Sequence, residues 1–364
     1  MIVRRYLEVD GLRLSYLERG RAVAGVPSLL ILHGLMGCAD TMRPLMQELS
    51  SDLHVLALDL PGAGESERRP NLKATLAFKA SIVHRFSELA GISEYCLVGH
   101  SHGGAVAMYT AATYSGRIRS LSLLAPAHPW FEESDPLIRF YLSLPGRLFA
   151  YSMPWYPKWM QMMGLRRMAG PQSWDTVEKL IPYRNNLRTP GTISHLLRLL
   201  STWHKDMAEL RKLMRKPLAI PAVLIWGDSD KAVPALSVKK LRAHLRYSEL
   251  HILQGVGHRP AEETPRAVAW MLDEWLRRPV EALTGYSPND SLTHERIAEL
   301  ISPSFEAGES AVPAKKWSAS RIQTMFLGAE ADARIPSSAS RGAKLSWSPM
   351  TKSFGTPPHA GKNR

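Results

Sequence analysis

The sequence predicts an α/β protein with a mostly parallel sheet into which a block of helices is inserted. Three observations carry this. From Ser28 to Leu124, short apolar runs alternate with stretches of helical spacing, and strands joined by helices make right-handed crossovers that leave the strands parallel. The first residues instead alternate apolar and polar on either side of Asp10-Gly11, a hairpin signal. Between about Pro126 and Pro217 no clear buried strand occurs, and the strand pattern resumes afterwards.

The elements follow in order. Arg4–Val9 and Leu12–Leu17 read as an antiparallel pair. Ser28–Leu32 is an apolar third strand ending at His33-Gly34, and a helix is expected near Thr41–Leu49. Leu53–Leu58 is a fourth strand ending at Asp59, followed by helical spacing over Thr75–Leu89. Tyr95–Val98 is apolar and leads through Gly99 and Ser101 into an alanine-rich helix, Ala105–Ala112. Ile118–Leu124 is the next buried strand. The middle block is rich in Trp, Met, Pro and Arg, with helical patches at Ile193–Leu200 and Ala208–Met214. Ile220–Trp226 then reads as a strand, a helix starts from Pro234, and Leu250–Leu253 is a short strand. Pro265–Leu276 is an amphipathic helix carrying Val268, Met271, Leu272 and Trp275. The expected division is a core over 1–126 and 217–280, an insertion over 127–216, and a C-terminal extension over 281–364. From about Pro303 the extension is dominated by Ser, Ala, Lys and Pro with isolated apolar residues. Such a composition offsets ordering entropy poorly and is expected to be largely disordered.

Composition narrows the function classes. Of 364 residues, 45% are hydrophobic, enough for a sizeable core. No run approaches the roughly 18 apolar residues of a spanning helix, and Met1-Ile2-Val3-Arg4-Arg5 turns charged before a signal-peptide core can form. Two cysteines, Cys38 and Cys96, exclude a disulfide framework, and a cytoplasmic setting is expected. Lys and Arg number 46 against 33 Asp and Glu, a net charge of +13. That charge is scattered, so it reads as solvated surface, with no nucleic-acid partner expected. Contact with a membrane surface is the lesser reading, carried by Arg139, Arg166 and Arg167 in the middle block. Nothing in the sequence fixes an oligomeric state.

The chemistry-bearing residues lie at strand ends. Gly99-His100-Ser101-His102-Gly103 fits G-x-S-x-G between a strand and a helix, the setting of a nucleophile elbow. Glycines Gly99 and Gly103 remove side chains that would clash at such a turn. The N–H of His102 then opens a helix, where anions are favoured. A serine hydroxyl needs a base to become a nucleophile. Downstream, Asp228 and Asp230 follow one strand and His258 follows the next, giving the order Ser, Asp, His. His258 is expected to be the base and Asp230 the acid that orients it, with Asp228 in a turn role. The N–H of Leu35, in His33-Gly34-Leu35-Met36-Gly37, is expected to join that of His102 as an oxyanion donor. His33 and Gly34 support this loop. A zinc site built from His33, His100 and His102 is not expected, because the last two flank one serine and point apart. Met153, Trp155, Trp159, Met160, Met162 and Met163 form a stripe that reads first as helix core and second as an apolar acyl pocket.

Five segments taken together resemble the α/β-hydrolase superfamily, in its capped branch of esterase-, lipase- and epoxide-hydrolase-like proteins. They are LHGLMG, DLPGAGES, GHSHGG, WGDSDKAVP and GVGHRPAEETP, in the order that family shows, covering about residues 1–280. The resemblance implies an eight-stranded, mostly parallel sheet with a helical cap over 127–216. One departure is His102, where many relatives carry Met, Leu or Gln. Ser101 stands where dehalogenase- and epoxide-hydrolase-like relatives use aspartate. The implied activity is that of a serine hydrolase acting without a cofactor on a small-molecule ester or acyl substrate, a carboxylesterase for apolar acyl groups. Thioesterase, lactonase, amidase or acyltransferase activity on the same triad is the alternative within enzymes. A ligand-binding receptor of the same fold is the alternative outside them.

Overall fold

Strands β3 (Ser28–Leu32), β4 (Val55–Leu58) and β5 (Tyr95–His100) are apolar throughout because both of their faces are covered. Leu30, Leu32, Leu56, Leu58 and Leu97 point to one side. Leu29, Ile31, Val55, Ala57 and Val98 point to the other. The strict alternation along each strand thus builds two cores at once, one on each face of the sheet. The computed structural model describes residues 1–23, 25–131, 135–171, 176–279, 282–283 and 322–323. The chain divides into a compact unit over Met1–Leu327 and a second over Gly328–Arg364, which lies wholly outside the described residues.

The amino-terminal hairpin is β1 (Ile2–Val9) and β2 (Leu12–Arg19), with Asp10 and Gly11 both at positive φ as the turn requires. Beyond β5 come β6 (Ile118–Leu124), β7 (Ala222–Gly227) and β8 (Ser248–Leu253). The order across the sheet is β1-β2-β4-β3-β5-β6-β7-β8, parallel from β4 to β8. A two-residue strand β9 (Ile322–Gln323) adds antiparallel to the β8 edge, one more strand than the eight expected. Ile322–Gln323, together with Ala282 and the buried Leu283, are the described residues of the extension expected over 281–364. The rest of that expectation falls outside them.

The helices expected from spacing fall where it put them, with sharper ends, and further helices stand in the middle block. The first is α1 (Arg43–Glu48), entered through a 3₁₀ turn. Next come α2 (Leu76–Leu89), whose N-cap Thr75 side chain accepts the Phe78 N–H, and α3 (His102–Thr113). Among the described residues five α-helices stand between β6 and β7: α4 (Asp135–Leu142), α5 (Leu144–Ser152), α6 (Lys158–Met168), α7 (Val177–Arg188) and α8 (Thr192–Leu213). The two patches expected at 193–200 and 208–214 are one 22-residue helix, α8. After β7 come α9 (Val238–Arg242), α10 (Pro260–Glu263) and α11 (Pro265–Arg277). Among the described residues no helix is long and apolar enough to cross a membrane. The Met and Trp stripe departs from its expected place in a helix core. Met162 is buried, whereas Trp155 and Trp159 are 70% and 64% exposed and Met160 and Met163 also face outward. The apolar face of α6 is wider than the contact it makes with α7, so only part of it is covered.

The sheet order reverses at β3: its neighbours are β4 on one side and β5 on the other. Open α/β sheets carry their crevice at the carboxyl ends of strands flanking such a reversal. The loop after β4 is shaped by the fully buried Asp59. Its Oδ1 accepts the Ala39 N–H at 2.6 Å, and its Oδ2 accepts the Glu65 N–H at 3.0 Å and Arg4 Nη1 at 2.8 Å. Gly64, at φ +55°, passes so close that a Cβ there would lie 1.9 Å from Asp59 Oδ1. Asp59→Ala leaves the Ala39 and Glu65 N–H groups without their acceptor, while Arg4 keeps Asp40 and Glu65, and is expected to lower stability by about 1–3 kcal/mol for each buried donor left unpaired. Urea unfolding checks this; a loss under about 1 kcal/mol would mean that the loop closes without its carboxylate.

Candidate active site

Ser101 sits between β5 and α3 at φ +51°, ψ −119°, a conformation that costs a non-glycine residue about 1–3 kcal/mol. Four backbone hydrogen bonds hold it. Its N–H donates to Leu124 O at 3.0 Å. Its carbonyl accepts from Gly104 at 2.9 Å, Ala105 at 3.3 Å and Ala127 at 2.9 Å. The glycines around it are required by space. A Cβ on Gly99 would stand 2.5 Å from Gly103 O. One on Gly103 would stand 2.5 Å from the carbonyls of Leu32 and His33, and one on Gly104 would meet Pro126 at 2.4 Å. The elbow is thus wedged against the ends of β3 and β6.

Three expected side chains come together here. Ser101 Oγ donates to His258 Nε2 at 2.8 Å, and His258 Nδ1 donates to Asp230 Oδ2 at 2.8 Å. The other carboxylate oxygen of Asp230 accepts the N–H groups of Ala232 and Val233 at 2.8 and 2.9 Å. Asp230 and His258 are buried, and the carboxylate sets the imidazole proton on Nδ1, leaving Nε2 an acceptor. Asp228 takes no part. It is exposed, and its Oδ1 accepts from Gly255 N–H and Ser229 Oγ in a turn.

The loop after β3 lies against the elbow, because Leu32 pairs with Gly99 in the sheet. Gly34 to Gly37 forms a turn closed by the Gly37 N–H on Gly34 O at 3.1 Å, with Met36 at φ +65°. The N–H of Leu35 lies outside that bond, and the N–H of His102, the first residue of α3, has no intrahelical acceptor. A Cβ on Gly34 would stand 3.1 Å from Ser101 Cβ. His33 braces the loop. Its Nδ1–H donates to Gly34 O at 2.8 Å, and its Nε2 accepts the Leu60 N–H at 3.1 Å. His100 and His102 diverge. His100 Nε2–H donates to the His258 carbonyl at 2.7 Å, whereas the His102 ring lies beside Trp203. Among the described residues no group of three or more His, Cys, Asp or Glu is placed to hold a metal ion.

The inserted helices contribute contacts that periodicity could not reveal. Asn186 of α7, buried, donates to Met36 O at 2.8 Å and Gly37 O at 2.9 Å and accepts the Gly64 N–H at 2.8 Å. It ties the loops after β3 and β4 together. The His258 N–H donates to Met168 O at 2.8 Å. Glu263 accepts the N–H groups of Gly257, Arg259 and Gly170, and Tyr183 donates to Glu262 at 2.5 Å. The sequence signals were a pair of asparagines inside a helix, where they are poor formers, and two consecutive glutamates after His258. A cleft of about 630 Å³ between α1 and α7, lined by Asp40, Arg43, Glu178 and Lys179 among others, contains none of Ser101, Asp230 and His258.

Comparison with known proteins places the chain among hydrolases. The family described as alpha/beta hydrolase fold matches residues 27–265. An uncharacterised hydrolase of Bacillus subtilis is 27% identical over 275 residues, covering 76% of this chain and 98% of its own. Human monoacylglycerol lipase ABHD6 is 25% identical over 283 residues, covering 75% of this chain and 81% of the lipase. The crystal structure of Cfl2 from Burkholderia cenocepacia superposes with a TM-score of 0.66 at 26% identity, over 75% of this chain and 95% of that one.

Burial keeps several histidines around the site neutral. It pushes His100, His195 and His128 down to about 3, and holds His33 and His102 below the usual imidazole range. In the unfolded chain each titrates near ~6.5. Between about pH 6.5 and 3 the unfolded state therefore binds more protons, and stability falls as pH falls. Proton uptake on unfolding at pH 5 should be three or more per chain, read from the slope of unfolding free energy against pH. A free energy flat from pH 6.5 to 5 would contradict this.

Proposed function

We propose that this chain, which belongs to the alpha/beta hydrolase-fold family, is a serine hydrolase that cleaves carboxylic esters through an acyl-enzyme at Ser101. The observation that carries the reading is the unbroken hydrogen-bonded line from Asp230 through His258 to Ser101, 2.8 Å at each link. The hydroxyl already points its proton at the base, and the base is held in the tautomer that can take it.

The steps follow from the positions. His258 Nε2 takes the Ser101 proton as Oγ adds to the ester carbonyl carbon. The carbonyl oxygen gains negative charge and is met by the N–H groups of His102 and Leu35; one such donor is worth about 10²–10³ in rate. Asp230, its other oxygen fixed by two backbone N–H groups, stabilises the imidazolium without taking its proton. The imidazolium then gives its proton to the departing alcohol. Water, deprotonated by His258, adds to the acyl-enzyme, and the carboxylic acid leaves as Ser101 regains its proton. Thioesters, lactones and amides enter the same sequence at the first step, and acyl transfer replaces water by another alcohol.

Helices α4–α8, within 127–216, act as the cap over the core of 1–126 and 217–280 in this reading. Leu35, Met36, Leu196 and Leu199 line part of a small space beside the oxyanion turn, together with Lys79, His102 and His195. The free, buried thiols of Cys38 and Cys96 support a cytoplasmic setting.

Ser101→Ala should abolish turnover of p-nitrophenyl acyl esters with the fold intact by circular dichroism. Asp230→Asn should lower the rate by about 10⁴, whereas Asp228→Asn, which alters only a turn, should stay within a few-fold of wild type. Inactivity of Asp228→Asn with an active Asp230→Asn would reassign the acid.

A further inference from the structure

Beside the turn that carries Leu35 lies a small, partly open cavity of about 20 Å³, room for one water-sized group. Apolar residues such as Leu35, Leu196 and Leu199 share its lining with polar ones: His33, Asn186 and Thr192, and also Lys79 of α2, His102 of α3 and His195 of α8. The esterase mechanism has no use for Lys79 or His195.

Both are buried without the partners such groups require. His195 is 5% exposed, and neither ring nitrogen has a hydrogen-bond partner among the described residues. The ring is locked in place by Gly62 (φ +86°), where a Cβ would stand 2.3 Å from His195 Cδ2. Lys79 is 3% exposed, and among the described residues no hydrogen bond or ion pair is formed by its ammonium. Asp206 attracts it from a distance, but that carboxylate is engaged by the Thr202 hydroxyl at 2.8 Å. Burial lowers the lysine to about 7. An unpaired buried polar group costs several kcal/mol on general grounds, and a cavity that leaves both His195 ring nitrogens unpartnered beside a buried lysine points to something that fills it.

We propose that this cavity receives a hydrogen-bond-accepting oxygen carried by the acyl part of the substrate. Resting on the esterase reading above, this makes the preferred substrate an ester whose apolar acyl chain bears one oxo or carboxylate group. Lys79 supplies N–H donors to that oxygen. His195, neutral, supplies one further N–H. Leu196 and Leu199 pack the methylenes leading to it. The position fits the chemistry. The cavity is lined by the Gly34–Gly37 turn and His102, so it adjoins the residues whose N–H groups are the proposed oxyanion donors. A site that must hydrogen-bond a group discriminates strongly against analogues lacking it, because its own buried donors are then left unpaired.

The test compares p-nitrophenyl hexanoate, 5-oxohexanoate and the monoester of adipic acid on wild type and on Lys79→Met. The expected result is a kcat/KM for the 5-oxo or the adipate ester at least about tenfold above hexanoate in wild type. In Lys79→Met that ratio should fall to near one. Which of the two esters gains tells an oxo oxygen from a carboxylate. In parallel, 5-oxohexanoate and adipate, but not hexanoate, should raise the melting temperature of the wild-type protein, and Lys79→Met should lose that shift. If none of the three esters is hydrolysed, the esterase reading fails, while the melting shifts still decide whether the cavity binds the oxygen. Equal kcat/KM values for all three esters with equal shifts would overturn the proposal and leave the cavity as the seat of a trapped water.

Discussion

The arrangement at the carboxyl end of the sheet depends on one backbone constraint, the positive φ of Ser101. A serine in that conformation is unfavourable by itself, so it persists only where the surroundings over-determine it. Here they do. The end of β6 takes the Ser101 N–H and returns the Ala127 N–H to the Ser101 carbonyl, and α3 uses the same carbonyl to start its ladder. Glycines at 99, 103 and 104 let three backbones meet at distances no side chain would allow. The result is a hydroxyl lifted off the strand toward His258 and a helix N-terminus opening directly behind it. The positions of the proposed nucleophile and of the proposed oxyanion donor are therefore one property.

A second layer of restraint comes from the helices between β6 and β7. Their contacts reach both sides of the candidate site. Asn186 holds the turn containing Leu35, and Met168 and Gly170 hold the loop containing His258. The fit at Gly170 is close: a Cβ there would lie 2.1 Å from Gly255 O. Movement of α6 or α7 away from the core would thus withdraw supports from the oxyanion side and the base side together. This gives the insertion a part in positioning the site as well as in enclosing it.

Much of this was legible in the residues. The ends of β3, β4, β5, β7 and β8 follow from where apolar runs break off, and the Ser, Asp, His order follows from the residues placed just beyond the last three. Asp230 could be told from Asp228 because the latter stands where the chain is still leaving the sheet. What was not legible depends on contacts between distant segments. Periodicity shows that α6 has an apolar face but not how much of it a neighbour covers, so Trp159 and Met163 were assigned inward and point outward. The polar Ser201-Thr202 step hid the continuity of α8, since those hydroxyls turn back to the carbonyls of Arg198 and Leu199 rather than ending the helix. Lys79 was legible in principle: it falls three residues after Leu76 and four before Val83, on the core-facing row of α2, where a lysine is out of place.

The central claim is that Ser101 is a nucleophile activated by His258. The most direct measurement is the site and rate of reaction with a fluorophosphonate, read by peptide mass spectrometry. The account predicts a single adduct on Ser101, formed at least about 10²-fold more slowly in a folded His258→Gln variant. An adduct on another residue, or labelling of Ser101 at the wild-type rate without His258, would contradict it.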